Sequence, residues 1–232
     1  MIINTHYYGS VEYTEEELVT FPEGLFGFSD LKQYLPLGLD DGDGSLLLLQ
    51  SIENPDIAFF LINPPAILPD YCPALQPEEL DFLQVSSSDE LSYYSICVVR
   101  SNYLENTVNL KCPLAINPST RRGMQIILSG NQYGYRHPLG DLLGNVDQEG
   151  DIGYADSETQ KNESILIGDD IRITVLECSS GEVRLAINAP RHLPILREEL
   201  SEMERTNKDA SSPDAQSLQA SAAALLPYLR KD

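Results

Sequence analysis

Short apolar segments separated by turn residues dominate the chain from residue 1 to about 140. Runs such as "LLLLQSI", "IAFFLI", "SYYSICVVR" and "GMQIIL" are rich in β-branched and aromatic residues and are bounded by Gly, Pro, Asn and Asp. Such runs are typical of strands, because β-branched and aromatic side chains pack well on a pleated surface. At this spacing they predict an antiparallel β-sandwich or β-barrel.

A second pattern begins near residue 164. Apolar residues of one parity occur before and after the turn "SSGE": Ile165, Ile167, Ile171, Ile173 and Val175, then Val183, Leu185, Ile187 and Ala189. This alternation predicts two or three strands with one apolar face. After Pro190, helical spacing of Leu196, Leu200 and Met203 predicts an amphipathic helix. The predicted fold class is therefore mainly β, with an N-terminal antiparallel β-barrel and a small C-terminal β domain ending in one α-helix.

Composition changes along the chain predict its domain boundaries. The barrel is expected at 1–142, an acidic, glycine-containing linker at 143–160, the small domain at 161–207 and a flexible tail at 208–232. The tail prediction depends on the Ser, Asp and Ala content of residues 206–216. The terminal "SAAALLPYLRKD" fits either a short helix or a partner-binding peptide.

The charge balance disfavours a simple nucleic-acid-binding protein. Asp and Glu number 36 against 15 Lys and Arg, which gives a formal charge of -21 and repels polyphosphates. The apolar runs are far shorter than the roughly 20 residues that cross a bilayer. The N-terminus "MIINTHYYGS" lacks the pattern of an export signal. We therefore expect a cytoplasmic protein without a membrane partner.

The distribution of reactive side chains predicts no enzyme, no catalytic residue, no cofactor and no metal. The four cysteines are widely spaced with no neighbouring histidine, and the three histidines are scattered. In "YGYRHPLG", Arg136 and His137 either line a site with the nearby tyrosines or belong to a strand end that packs its aromatic residues. A hydrolase that uses the many carboxylates is a further alternative, which lack of turnover on a broad substrate panel would exclude.

Several ordered segments resemble the flagellar assembly factor family, the FliW type, over about residues 1–142. They are "VEYTEEELVTFPEGLFGFSDLKQYLPL", "LQSIENPDIAFFLINPP", "LPDY", "NLKCPLAINPSTRRGMQIIL" and "YGYRH". Within the first, Pro22, Gly24 and Gly27 are typical of a turn between strands. The resemblance implies a compact β-barrel in the cytoplasm that binds flagellin. It also implies binding of the carbon storage regulator, which blocks that regulator's action on messenger RNA.

The segments "SILIGDDIRITV", "GEVRLAINAP" and "LPILREEL" resemble the carbon storage regulator itself, the CsrA type, over about residues 160–207. Members of that family open with a basic first strand that meets RNA, whereas this chain has "DIGYADSETQKNE" there, so its first strand is degenerate. The resemblance implies that Arg197, in "REE", is an RNA-binding residue. The alternative is a surface arginine at a helix start, paired with Glu198, Glu199 or a neighbouring acidic residue.

The two resemblances together indicate an antagonist fused to its target. A short flexible linker would give the two parts an effective concentration on the order of millimolar. One hypothesis is that flagellin competes with this contact, within or between chains, and so links flagellin level to translation of flagellar mRNA with GGA motifs. The alternative is a flagellin chaperone whose regulator-like domain has lost RNA binding. The family's intertwined dimer makes a homo-oligomer a further expectation.

Overall fold

The computed structural model describes residues 1–39, 44–130, 132–142, 164–167, 171–179, 182–190 and 198–229. The chain divides into two compact units. The first comprises Met1–Asp147 together with Glu199–Asp232, and the second comprises Gln148–Glu198. The predicted acidic linker at 143–160 lies outside the described residues.

The first unit contains eleven strands and four α-helices among its described residues. The strands are β1 (Ile2–Thr5), β2 (Gly9–Glu12), β3 (Val19–Thr20), β4 (Gln33–Gly38), β5 (Leu46–Ser51), β6 (Ala58–Ile62), β7 (Ser92–Val98), β8 (Thr107–Val108), β9 (Leu114–Asn117), β10 (Arg122–Gln125) and β11 (His137–Pro138). The helices are α1 (Pro77–Leu83), α2 (Leu139–Leu142), α3 (Glu198–Ala210) and α4 (Ala215–Leu229).

Seven of these strands form a closed barrel. Their order is β7, β6, β5, β4, β3, β10 and β9, and pairing of β9 with β7 closes the ring. Strands β8 and β11 extend the sheet beside β7, and β1 and β2 form a separate hairpin. The predicted mainly β class and N-terminal barrel are confirmed. One pair departs from the antiparallel pattern, because β3 and β10 run parallel and meet at Thr20 and Arg122.

The turn after β3 requires glycine. Gly24 has a φ of +74°, in the left-handed region, and a Cβ there would lie 2.6 Å from the Phe28 carbonyl oxygen. Any side chain would therefore meet rigid backbone in a conformation that L-residues disfavour. The predicted turn between strands is confirmed at this glycine.

Strand β6 lies in the core with both faces buried. Phe59, Phe60, Leu61 and Ile62 are all fully buried. Because side chains alternate along a strand, Phe60 and Ile62 belong to one apolar cluster and Phe59 and Leu61 to another. Each cluster therefore needs its own covering layer. The C-terminal helices supply part of both, with Ala210 in the second cluster and Leu218, Ala222, Leu225 and Leu229 in the first.

The C-terminal residues differ from the predicted flexible tail at 208–232. Residues up to Ala210 continue α3, and α4 follows from Ala215, both within the unit that contains the barrel. The helix expected to end the small β domain thus packs with the barrel unit. The physical reason is tertiary packing: an isolated helix of this length is marginal in water, but an apolar face buried against another element stabilises it.

The second unit contains a three-stranded antiparallel sheet among its described residues. Strands β12 (Ser164–Ile167), β13 (Ile171–Ser179) and β14 (Glu182–Asn188) lie in this order, with an irregularity in register between Val175 and Glu177. Ile165 pairs with Ile173, which pairs with Ile187, and Val175 pairs with Leu185. The predicted strands with one apolar face are therefore present. Much of this face is exposed, including Ile165 at 42% and Leu185 at 49%.

Candidate helix-binding surface of the barrel

The barrel holds the C-terminal helices α3 and α4 through a set of polar groups on several of its strands and loops. We call this set the helix-binding surface. It consists of the backbone carbonyls of Phe26 and Ala58 and the side chains of Asn106, Gln125 and Arg136. Gly27, beside Phe26, lies against α3: a Cβ there would make an ordinary contact, 3.4 Å from the carbonyl oxygen of Glu204, and its φ of +81° favours glycine.

Gln125 on β10 and Asn207 on α3 form a reciprocal pair of side-chain amides. Asn207 donates to Gln125 Oε1 at 2.8 Å, and Gln125 donates to Asn207 Oδ1 at 3.3 Å. Asn207 also donates to the Phe26 carbonyl at 2.9 Å, and the Phe26 N–H donates to Gln125 Oε1 at 3.1 Å. Asn207 is 0% exposed and Gln125 is 4% exposed. Since an unpaired buried polar group costs about 1–3 kcal/mol, this network favours one register and one rotation of α3.

The connection between the two helices pairs with the start of β6. The Ser212 N–H donates to the Ala58 carbonyl at 2.8 Å, and Ser211 forms an antiparallel bridge with Phe59. The Ser212 hydroxyl donates to the Asp56 carbonyl. Strand β7 pairs with β6 only after Phe59. At Ala58 and Phe59 the connection therefore supplies the backbone partner that β7 does not. Backbone pairing therefore adds to the side-chain contacts.

Helix α4 begins with a side-chain cap and buries one face. The Ser217 N–H donates to Asp214 Oδ2 at 2.8 Å, and this hydrogen bond lowers the pKa of Asp214. The buried apolar residues follow helical spacing, at Leu218, Ala222, Leu225 and Leu229. Such spacing places them on one side of the helix, which joins the larger core cluster of the barrel.

A buried hydrogen bond also anchors α4. Asn106 donates from its amide to the Ser221 hydroxyl at 2.8 Å, and both side chains are fully buried. The Asn106 oxygen accepts from the Arg100 N–H at 2.7 Å, which fixes the orientation of the amide. Ser221 therefore supplies the small acceptor that the buried Asn106 amide requires on α4.

Arg136 forms ion pairs with α3 at the edge of the surface. Its guanidinium lies 2.5 Å from Asp209 Oδ2 and 3.6 Å from Glu202 Oε1. The hydrogen bond from Arg136 lowers the pKa of Asp209. A lowered pKa in the folded state means that this contact stabilises α3 above the ordinary carboxyl range and is lost as the pH falls through the lowered pKa. Because these side chains are partly exposed, the contribution is about 0–1 kcal/mol, and the buried contacts dominate.

The structure separates the residues of the "YGYRHPLG" motif. Arg136 contacts α3, whereas the His137 ring accepts a hydrogen bond from the Gly134 N–H at 2.6 Å. Burial lowers the pKa of His137. Tyr133 packs against Tyr71, with ring centroids 4.8 Å apart. The aromatic strand-end interpretation therefore fits His137 and Tyr133, and Arg136 belongs to the helix-binding surface.

The predicted RNA-binding residue Arg197 lies outside the described residues, so its role stays a prediction. The sequence interpretation missed the two buried polar pairs of the surface. Gln125 gave a weak signal, since it is a polar residue within the apolar run "GMQIIL". Asn207 gave none, because "TNKD" has the composition of a solvent-facing segment.

The described part of the chain contains neither a candidate metal-binding cluster nor a helix suited to span a membrane. There, no group of three or more His, Cys, Asp and Glu side chains is placed to hold a metal ion. No helix within the described ranges is both long and apolar enough to cross a membrane. Of the cysteines, Cys97 and Cys112 are buried and Cys72 is exposed. Burial raises the pKa of the Cys112 thiol to about 12, which keeps it protonated.

The fold is thus a closed β-barrel that packs the C-terminal helices of its own chain through buried polar and apolar contacts. The sequence model of the FliW protein family matches residues 2–139, more than half of the chain, and the chain belongs to this family. The model of the global regulator protein family CsrA matches residues 159–205. The predicted combination of the two families in one chain is therefore confirmed.

Individual relatives agree with the family assignment. The flagellar assembly factor FliW of Caldanaerobacter subterraneus subsp. tengcongensis is 39% identical over 146 residues, which are 63% of this chain and 97% of that protein. FliW of Thermoanaerobacter pseudethanolicus is 35% identical with the same coverage. A crystal structure of the flagellar assembly factor FliW superposes with a TM-score of 0.56 at 33% identity, covering 60% of this chain and 96% of that one.

Proposed function

We propose that this chain is a non-enzymatic, cytoplasmic flagellar assembly factor that binds flagellin and thereby controls the regulator-like segment in the same chain. One observation carries the proposal: α3 starts inside the segment that matches the CsrA family, and in that segment Glu202 lies 3.6 Å from Arg136 and Met203 is fully buried. The buried hydrogen bonds of Asn207 to the barrel follow just beyond the matched segment. The part of the chain that resembles the antagonist thus contacts the end of the part that resembles its target.

Competition for the helix-binding surface provides the control. The C-terminal helices occupy the surface, and a helical segment of flagellin that binds there would displace them. Because the helices are tethered to the barrel, they act at a high effective concentration, and flagellin must bind tightly to replace them. Flagellin level would then set the fraction of chains whose regulator-like segment is free to bind GGA-containing mRNA.

RNA binding by the full chain tests this proposal. We expect a hairpin with a GGA loop to shift weakly in a gel at moderate salt, and about 5- to 150-fold more strongly with monomeric flagellin, the usual range of coupling between sites. Arg197→Ala should remove the flagellin-dependent shift, because a charge-assisted contact is lost. Strong RNA binding that does not change when flagellin is added would contradict the proposal.

A flagellin chaperone without RNA binding is the second candidate. The formal charge of -21 and the acidic sequence in place of a basic first strand favour it. The same gel experiment distinguishes the two, because this candidate predicts no RNA shift under any condition while flagellin still binds.

The second unit supports self-association. Its sheet exposes Leu185 at 49% and Ile187 at 41% on one apolar face, and a three-stranded sheet needs a second layer to bury such a face. We propose that the layer is a second copy of the chain. Sedimentation equilibrium should show a dimer that Ile187→Asp dissociates, whereas Asn188→Asp, on the opposite parity of the same strand, should leave it intact. A monomer at all concentrations would contradict this.

A further inference from the structure

We propose that Gln125 makes the helix-binding surface selective for a carboxamide, so that a helical partner replaces α3 only when an Asn or Gln side chain takes the position of Asn207. The inference rests on the proposed function, in which flagellin replaces the C-terminal helices. It adds the chemistry that the replacing segment must carry.

Groups of the barrel fix the orientation of Gln125. Its amide donates to the Cys112 carbonyl at 3.3 Å, and its oxygen accepts from the Phe26 N–H at 3.1 Å. Turning the amide over would place oxygen against oxygen and N–H against N–H at these two contacts. Gln125 therefore presents one donor and one acceptor toward the helix, and the Phe26 carbonyl beside it presents a further acceptor.

Only a carboxamide matches this arrangement among the side chains. The position needs two donors, for Gln125 Oε1 and the Phe26 carbonyl, and one acceptor for the Gln125 amide. A carboxylate has no donor, Lys and Arg have no acceptor, and a hydroxyl has only one hydrogen to donate. Water does not compensate, since Asn207 is 0% exposed. A mismatched partner therefore leaves buried groups unpaired.

A second position on the helix-binding surface also restricts the side chain that can bind there, because its buried donor needs a hydrogen-bond acceptor. Asn106 uses its oxygen for the Arg100 N–H and presents its amide donor to Ser221. Both Asn106 and Ser221 are fully buried, so the occupant must provide a small acceptor there. A competing helix therefore has to match two polar positions of the helix-binding surface and also pack against the adjacent apolar cluster of the barrel.

Asn207→Asp in the full chain tests the selectivity within one molecule. The change keeps the shape but removes both donors, and we expect hydrogen-exchange protection of the α3 amides to fall on the order of tenfold to a hundredfold. Gln219→Glu makes the same chemical change at an exposed position of α4 and should alter protection less than about twofold. Asn207→Leu, which adds no charge, should also open α3. Unchanged protection in both Asn207 variants would overturn the proposal.

Flagellin affinity tests the same chemistry in the partner. In the Asn207→Asp background, where the competing helix is weakened, the further change Gln125→Met should reduce flagellin affinity by about tenfold, with circular dichroism showing an intact barrel. Equal flagellin affinity with and without Gln125→Met would overturn the selectivity for the partner.

These experiments distinguish failure of the carboxamide selectivity from failure of the competition between flagellin and the helices. If Asn207→Asp opens α3 but flagellin binds no more tightly than to the unchanged chain, the competition in the proposed function is wrong. Selectivity for α3 itself would then remain. If the α3 amides keep their protection in the Asn207→Asp variant without flagellin, and flagellin still displaces the helices, the carboxamide selectivity is wrong and the competition stands.

Discussion

Leu225→Ala is expected to weaken the attachment of α4 to the barrel by about 2–5 kcal/mol, the usual range for truncating a buried leucine to alanine. Leu225 is 0% exposed and belongs to the larger core cluster, where Leu218 and Leu229 accompany it on the same face of the helix. Because the lost contacts are those between α4 and the barrel, the change should weaken the docking of α4 more than it destabilises the strands.

Native-state hydrogen exchange measures this effect. Each 1.4 kcal/mol is tenfold, so protection of amides in α4 should fall about thirtyfold or more, while amides in β6 stay protected. Tyr228→Ala is the matched control, since Tyr228 lies on the same helix and is 38% exposed; it should change the docking free energy by about 0.5 kcal/mol or less. Similar protection in the two variants would show that α4 does not depend on its apolar face.

The barrel was predictable because its strands carry their own signals. The run "IAFFLI" became β6 with both faces buried, and the turn at Gly24 lies where "FPEGLFGF" placed it. The parallel pairing of β3 with β10 was not predictable, because it joins residues far apart in sequence through one pair of residues, Thr20 and Arg122. Long-range pairing of such short segments leaves no local pattern.

Most of the helix-binding surface could not be predicted from the sequence, for a different reason. Small polar residues such as Asn207 and Ser221 are typical of exposed segments, and their composition suggested a flexible tail. In the structure each is buried because a specific amide on the barrel pairs with it, Gln125 for the first and Asn106 for the second. Pairs of this kind depend on both partners, so neither segment alone predicts them.

Flagellin is expected to release both C-terminal helices from the barrel. A ligand shifts an equilibrium only by its different affinity for the two states, and under the proposed competition flagellin would bind only the state in which the helix-binding surface is free. The helices share the surface through Gln125 and the connection at Ser212, so a partner that occupies it displaces α3 and α4 together. At saturating flagellin the released helices should exchange nearly as fast as isolated peptides, because helices of this length are marginal alone.

Hydrogen exchange of the full chain with and without saturating monomeric flagellin tests this claim most directly. We predict that flagellin removes most of the protection of amides in α3 and α4, while amides of β6 remain protected as the internal reference for an intact barrel. If flagellin binds, as judged by co-elution, and α3 and α4 keep their protection, then flagellin and the helices do not compete for this surface.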